Sequence, residues 1–143
     1  MSFIAHHSSL MAIIFALSAC GQSNPLPSES DGKKVVEEYL KTSCMKLDLF
    51  KKVNATQMDV MGIKMYEMEY EASYSVASEP CYGKYDADRK SFSGGPTKQD
   101  LSFGRFKDTP QLPKGQTFAS GKNKLTFVKK ENGWEGKIDR GVF

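Results

Sequence analysis

The sequence predicts an α+β fold in which one N-terminal amphipathic helix packs on an antiparallel sheet of about four strands. Three patterns support this fold class. Apolar residues recur at helical spacing after Asp31, apolar and polar residues alternate from Lys64 to Val76, and Asn132-Gly133 separates two alternating runs near the end of the chain. These patterns are the sequence signals of an amphipathic helix, a half-buried strand and a β-hairpin, respectively.

The first segment has the pattern of a cleaved signal peptide. Leu10 to Ala19 form an apolar run of about ten residues, which suits a signal-peptide core but is shorter than the ~20 residues of a membrane-spanning helix. No Lys or Arg precedes this run, only His6 and His7, whereas signal peptides usually begin with positive charge. We expect residues 1–19 to be removed, so that the mature chain begins at Cys20.

The residues around this cleavage point, Leu17-Ser18-Ala19-Cys20, resemble the lipobox of bacterial lipoproteins. The resemblance implies a diacylglyceryl thioether on Cys20 and a fatty acid such as palmitate on its amine. Several acyl chains anchor a protein lastingly, whereas one chain alone is marginal. No aspartate follows at Gly21 or Gln22, which in this family implies the periplasmic face of the outer membrane in a Gram-negative host. An ordinary secretory peptide that happens to contain a cysteine is the alternative.

The mature chain is predicted to consist of a tether and one domain. Residues 20–31 are the lipidated cysteine and a flexible linker, because they are small, polar and proline-bearing without periodicity. Residues 32–143 have the length of a single domain. Asp31 is expected to cap a helix from Gly32 to about Met45. Its inward face is predicted to carry Val36, Tyr39, Leu40, Ser43, Cys44 and Leu47.

The first two strands are predicted from Leu49 to Met58 and from Lys64 to Val76, with a turn at Asp59 to Gly62 between them. The second strand has the clearest pattern in the chain, and we expect one of its faces to be buried. That face carries Tyr66, Met68, Tyr70, Ala72, Tyr74 and Val76, and Glu67, Glu69 and Glu71 lie on the other.

The rest of the chain is predicted to complete the sheet after a long excursion. Glu79 to Lys114 lose periodicity and are expected to contain a short hairpin. Gln116 to Ser120 form a further strand. Lys124 to Lys130 and Trp134 to Asp139 form a terminal hairpin, and Asn-Gly between such runs favours a type I′ turn.

The cysteines and histidines limit which catalytic and metal sites the mature chain can contain. Cys44 and Cys81 remain after Cys20 is lipidated, and an even pair in an oxidising compartment is predicted to form a disulfide, with two buried thiols as the alternative. Both histidines lie in the removed segment. The mature chain therefore lacks the commonest general base and the histidine of Ser-His-Asp, Cys-His and most zinc sites.

The charge of +3 is concentrated in the second half, where nine Lys or Arg stand against four Asp or Glu from Arg105 onward. This charge would suit anionic envelope material, although a solvated face explains it as well. We expect no nucleic-acid partner and no cofactor. Asp86 and Asp88 resemble a calcium loop only faintly, because the glycine and bidentate glutamate of an EF-hand are missing, so no metal is predicted.

The candidate ligand-facing residues are aromatic. Tyr66, Tyr70 and Tyr74 share one strand face, and a short helix cannot cover a curved sheet completely, so these residues and Trp134 are predicted to line a cleft for a sugar or peptide. Buried tyrosine hydroxyls need hydrogen-bond partners. The alternative is a tyrosine-rich core. No residue is predicted to be catalytic.

The stretches Tyr66 to Ala72 and Lys129 to Gly136, placed after an amphipathic helix, resemble small bacterial lipoproteins with cystatin-like or NTF2-like folds. Together with the lipobox, they lead us to expect a membrane-anchored, non-catalytic module that binds an envelope protein or glycan. One alternative is a small NTF2-like hydrolase or isomerase that uses carboxylate and tyrosine groups. The other is a surface-protective enzyme inhibitor with a contact loop within Glu79 to Lys114.

Overall fold

The computed structural model describes residues 25–94 and 109–138. The predicted signal peptide, residues 1–19, and the predicted lipidation site, Cys20, lie outside these ranges. The same is true of Leu101, Phe103 and Phe106 in the predicted excursion. Across the two described ranges, none of the helical structure is both long enough and apolar enough to cross a membrane.

The single helix of the described residues, α1, spans Glu29–Leu40, and it begins and ends earlier than the sequence predicts. Ser28 is the N-cap: its hydroxyl accepts from the Asp31 amide, and the Asp31 carboxylate accepts from the Ser28 amide at 2.8 Å. Asp31 therefore closes a capping box from inside the helix. After Leu40, the Ser43 amide and hydroxyl both donate to the Leu40 carbonyl at 2.9 Å and end the helix.

The described ranges contain seven strands. They are β1 Met45–Val60, β2 Ile63–Val76, β3 Gly83–Asp86, β4 Ser91–Gly94, β5 Thr117–Ala119, β6 Asn123–Lys130 and β7 Gly133–Ile138. The five-stranded antiparallel sheet has the order β1-β2-β6-β7, and β5 also pairs with β2, beyond the end of β6. Strands β3 and β4 form a separate antiparallel hairpin within the predicted excursion.

Strand β2 is the centre of the sheet, and its predicted alternation is confirmed. The side chains of Tyr66, Met68, Tyr70, Ala72, Tyr74 and Val76 are all buried. On the opposite, outer face, Lys124 of β6 binds Glu67 at 2.7 Å and lies 3.8 Å from Glu69. One face of the sheet thus carries the core and the other carries charge, as is common in antiparallel sheets covered on one side.

Strand β1 does not keep a simple alternation, because two bulges interrupt it. The pairing with β2 shifts between Leu47 and Leu49 and again between Lys52 and Asn54. Each bulge adds one residue to β1 and bends the strand. As a result, Phe50 is buried and Leu47 is partly buried although an odd number of positions separates them.

The two main hairpins differ in their turns. Met61 and Gly62, between β1 and β2, have φ values of 53° and 81°, and a positive φ at both central residues is what a type I′ turn requires. The predicted β6–β7 hairpin is present, but its predicted type I′ turn is wrong. Glu131 and Asn132 are the central residues of that turn, and neither has a positive φ. Gly133, at the start of β7, instead has a φ of 133°, which favours glycine.

The predicted disulfide joins Cys44 and Cys81, whose Cα atoms are 5.5 Å apart. Cys44 lies beyond the end of α1, directly before β1, so the prediction that it sits on the inward face of the helix is wrong. The bridge connects the start of β1 to the segment that precedes β3. Both cysteines are buried in the core.

Candidate functional site

A concave surface lies between α1 and the inner face of β7. Two adjoining cavities of about 340 and 430 Å³ share the lining residues Lys34, Val35 and Gly136, and we call the two together the α1/β7 groove. The remaining lining residues are Pro25, Pro27, Asp31, Glu38, Tyr39, Phe127, Gly133, Trp134 and Ile138.

The groove exists because α1 covers only part of the sheet. Gly32 approaches the sheet so closely that a Cβ at this position would lie 2.6 Å from the Met68 sulfur and 2.8 Å from the Phe50 ring. Val35, on the flank of the helix, lies directly over Gly136 of β7. Glycine in a strand often marks such a close approach of another element. Beyond this contact, the inner face of β7 stays open.

Trp134 forms the wall of the groove near the N-terminus of α1. Its ring is tilted against that of Tyr66 with centroids 6.2 Å apart, and the Lys129 ammonium lies 5.3 Å from its centroid. The indole N–H is buried and has no hydrogen-bond acceptor. A buried donor without a partner is uncommon in folded proteins.

Tyr66 is the only one of the three predicted ligand-facing tyrosines that the described structure brings next to Trp134. Its side chain is buried, and its hydroxyl accepts a hydrogen bond from the Lys52 ammonium at 2.7 Å. Lys52 itself belongs to β1, and its backbone amide donates to the Glu29 carboxylate at 2.8 Å. These contacts fix the first turn of α1 against the sheet beside the groove.

Tyr70 and Tyr74 lie in the core, as the alternative interpretation of the tyrosine face expects. They are 0 % and 3 % exposed, and the Tyr70 ring stacks on Phe50 with centroids 4.7 Å apart. Burial raises the pKa of the Tyr70 hydroxyl to about 12 and raises the pKa of the Tyr74 hydroxyl further. Both hydroxyls are therefore neutral at physiological pH.

Asp86 ends β3 and makes local contacts, and Asp88 follows in the β3–β4 turn. The Asp86 carboxylate accepts from the backbone amides of Asp88 and Arg89, both at 3.0 Å, and faces the Arg89 guanidinium at 3.8 Å. No group of three or more potential metal ligands occurs within the described ranges.

No protein-family model, curated protein or solved structure matches the chain. The groove presents apolar side chains from α1 and β7 and charged groups of both signs at Asp31, Lys34 and Glu38. Apolar pockets with a few polar groups are typical of ligand sites.

Sequence reasoning identified Trp134 and missed the rest of this groove. Pro25 and Pro27 fall in the predicted linker, and Val35 has no special position in the helical pattern. The available signal was Gly136, which interrupts an otherwise regular strand pattern and therefore points to close backbone approach. The partner of that approach, α1, depends on tertiary packing and has no sequence signal.

Proposed function

We propose that this chain is a membrane-anchored envelope lipoprotein and that its α1/β7 groove is a non-catalytic binding site for an extended segment of a partner protein. The observation that carries the proposal is the inner face of β7, which α1 covers only in part. Trp134, Gly136 and Ile138 alternate along this strand and all line the groove. Val35 of α1 lies over Gly136, and Trp134 and Ile138 remain only partly buried on either side of it.

The preference for an extended segment comes from the position of β7 in the sheet. Within residues 25–94 and 109–138, β7 pairs with β6 and with no other strand. An edge strand presents backbone donors and acceptors that can pair with an added strand. In this mode of recognition the backbone supplies affinity, and pockets for alternate side chains supply specificity. The groove lies beside that edge and would hold those side chains.

The lipid anchor is supported by the lipobox pattern at Leu17 to Cys20. Pro25 already lines the groove, so only a short stretch separates the domain from Cys20. A groove held so close to a membrane would act on partners in or near the envelope, which matches the expected periplasmic location.

The enzyme and inhibitor alternatives have less support. Acid–base catalysis by a carboxyl group needs a raised pKa in an apolar setting. Among the described acidic side chains, the shift that stands out is that of Asp31, whose pKa is lowered because its carboxylate accepts hydrogen bonds from Ser28. For the inhibitor, the commonest targets of such proteins, lysozymes, are basic, and this chain also has a net positive charge, so the two would approach each other against repulsion.

Site-specific photo-crosslinking tests the proposal on the full chain in its own membrane. Tyr39, on the helix side of the groove, is 41 % exposed and can be replaced by p-benzoylphenylalanine, which preserves an aromatic side chain. Lys51 is the matched control, because it is exposed on β1, at the opposite edge of the five-stranded sheet. We expect a protein crosslink from position 39 and none from position 51.

The crosslinked segment is then made as a synthetic peptide, and its binding to the purified protein is measured by calorimetry. Tyr39→Ser should weaken binding by about tenfold, which corresponds to about 1.4 kcal/mol, because exposed aromatic anchors carry much of the energy of such interfaces. Lys51→Ala should leave the affinity unchanged. Equal crosslinking at both positions would refute the groove, and a protease-resistant carbohydrate adduct at position 39 would favour a glycan ligand.

A further inference from the structure

We infer that the turn between β1 and β2 inserts into the interfacial region of the same membrane that holds the lipid anchor. The inserting element is Val60–Ile63, which we call the hairpin tip. This inference rests on the proposed lipid anchor at Cys20. It adds an orientation, in which the domain stands on the membrane by its hairpin tip instead of moving freely at the end of its linker.

The hairpin tip is unusually apolar for a turn. Met61 is 99 % exposed, Ile63 is 52 % exposed and Val60 is 47 % exposed, whereas turns are dominated by Gly, Pro, Asn, Asp and Ser. Single exposed apolar residues are ordinary, but a contiguous apolar group marks an interaction surface. The protein therefore presents three large apolar side chains to its surroundings at one point.

The hairpin tip has a defined backbone conformation. Asp59 accepts from the Gly62 amide at 2.9 Å, and the cross-strand pairs Val60 with Ile63 and Asp59 with Lys64 close the turn. Met61 adopts a left-handed conformation, which is uncommon for a residue other than glycine or asparagine. The fold thus holds a fully exposed methionine in a defined position.

The chain enters the domain at the end of the sheet that carries this tip. The pairing of β2 with β6 begins at Met65 and Val128, and β6 ends two residues later at Lys130, so the tip lies at the same end of the sheet as the β6–β7 turn. Pro25, the first described residue, shares a cavity with Gly133, which directly follows that second turn. The tether, the β6–β7 turn and the hairpin tip therefore lie at one end.

The length of the tether then decides which surface meets the membrane. The chain from Cys20 to Pro25 reaches at most roughly 18 Å when fully extended. The sixteen residues of β1 span roughly 50 Å at about 3.3 Å per residue. A lipid on Cys20 therefore keeps the tip end of the domain close to the bilayer and leaves the opposite end, near Lys114, facing away.

A membrane fits the tip better than a protein partner does. The lipid anchor would hold the bilayer next to the tip at all times, and long apolar side chains flanked by charged ones suit the interface between headgroups and acyl chains. Lys64 follows the tip directly and can keep its ammonium at headgroup level while its stem lies along apolar surface. A second copy of the chain or a protein partner remains an outcome of the test.

The test uses the lipidated full chain, reconstituted in vesicles of phosphatidylethanolamine and phosphatidylglycerol. With Cys20 acylated and Cys44 bridged to Cys81, Met61→Cys introduces a single free thiol, which is labelled with an environment-sensitive fluorophore. Lys114→Cys, at the opposite end, is the matched control. Met61 makes no contact that the fold needs, so both variants should retain wild-type unfolding curves.

We expect the probe at position 61 to show blue-shifted emission and to lose intensity when the lipids carry a nitroxide on the acyl chain. The probe at position 114 should show neither effect. Identical behaviour of the two probes would overturn the inference, and so would a blue shift at position 61 that depends on protein density and is insensitive to the nitroxide. The intact mass of the same sample separates the two proposals: lipidated Cys20 with a solvent-exposed position 61 refutes only the orientation, whereas Cys20 without lipid overturns both.

Discussion

The close contact between α1 and β7 yields the sharpest stability prediction, because it depends on the absence of one methyl group. A Cβ added at Gly136 would overlap the Val35 methyl group and would lie 2.8 Å from the Phe127 ring. Val35 is β-branched and therefore restricted at χ1, so it cannot turn away easily. Gly136→Ala must then push the flank of the helix off the sheet.

Overpacking of this kind typically costs about 1–3 kcal/mol. We expect Gly136→Ala to lie in the upper half of that range, because the added atom meets both a stiff side chain and an aromatic ring. Gly121→Ala is the matched control: its Cβ would meet its nearest atoms at 3.6 Å, an ordinary contact, and its φ is not positive. That substitution should be neutral or stabilise by up to about 1 kcal/mol.

Guanidinium unfolding at neutral pH, with the disulfide intact, measures both variants. Trp134 is the only tryptophan in the chain and reports on the contact through its fluorescence. The predicted difference of about 2 kcal/mol is a roughly thirtyfold change in the ratio of folded to unfolded protein. If Gly136→Ala unfolds at the same denaturant concentration as Gly121→Ala, the helix does not rest on β7 as described.

Three further predictions concern the disulfide, the buried tyrosines and the helix cap. Replacing Cys44 and Cys81 by alanine opens a loop with a sequence separation of 37 and should lower the free energy of unfolding by up to about 4 kcal/mol, measured by denaturation. A loss under about 1 kcal/mol would contradict that. Burial raises the pKa of Tyr70 to about 12, so the free energy of unfolding should fall as pH rises above the ordinary tyrosine pKa of about 10. Tyr70→Phe should make this decline at alkaline pH less steep. If the decline is the same in both proteins, Tyr70 is not buried. The pKa of Asp31 is lowered by its hydrogen bonds to Ser28, so its contribution is present above the ordinary aspartate pKa of about 3.9 and is lost as pH falls further. Asp31→Asn should therefore weaken the fold at pH 7 and reduce the acid-side loss, and parallel pH profiles of the two proteins would argue against the cap.

The parts of the fold that the sequence predicted are those set by local pattern. The alternation from Tyr66 to Val76 depends only on the period of a strand, and the β6–β7 hairpin depends on two adjacent runs. The cysteine pair followed from the expected compartment. The strand and the hairpin could be predicted because their patterns involve residues close together in the sequence, and the disulfide because two cysteines remain after Cys20.

The parts that the sequence did not predict depend on competition between neighbours or on distant contacts. Ser28 and Asp31 are both residue types that favour the N-cap position. Ser28 takes that position because Asp31, three residues later, completes a reciprocal capping box with it. The bulges of β1 shift its register against β2 and have no mark in its sequence. The α1/β7 groove requires knowing that Val35 meets Gly136, a contact between residues a hundred positions apart in the chain.

The lipid on Cys20 is the claim on which the location, the proposed partner and the membrane orientation all depend. Mass spectrometry of the mature protein, purified from the membranes of cells that produce the full chain, tests it directly. We predict an N-terminal peptide that begins at Cys20 and carries a diacylglyceryl thioether together with an acylated amine. A chain that still begins at Met1, or a Cys20 with an unmodified sulfur, would contradict the account.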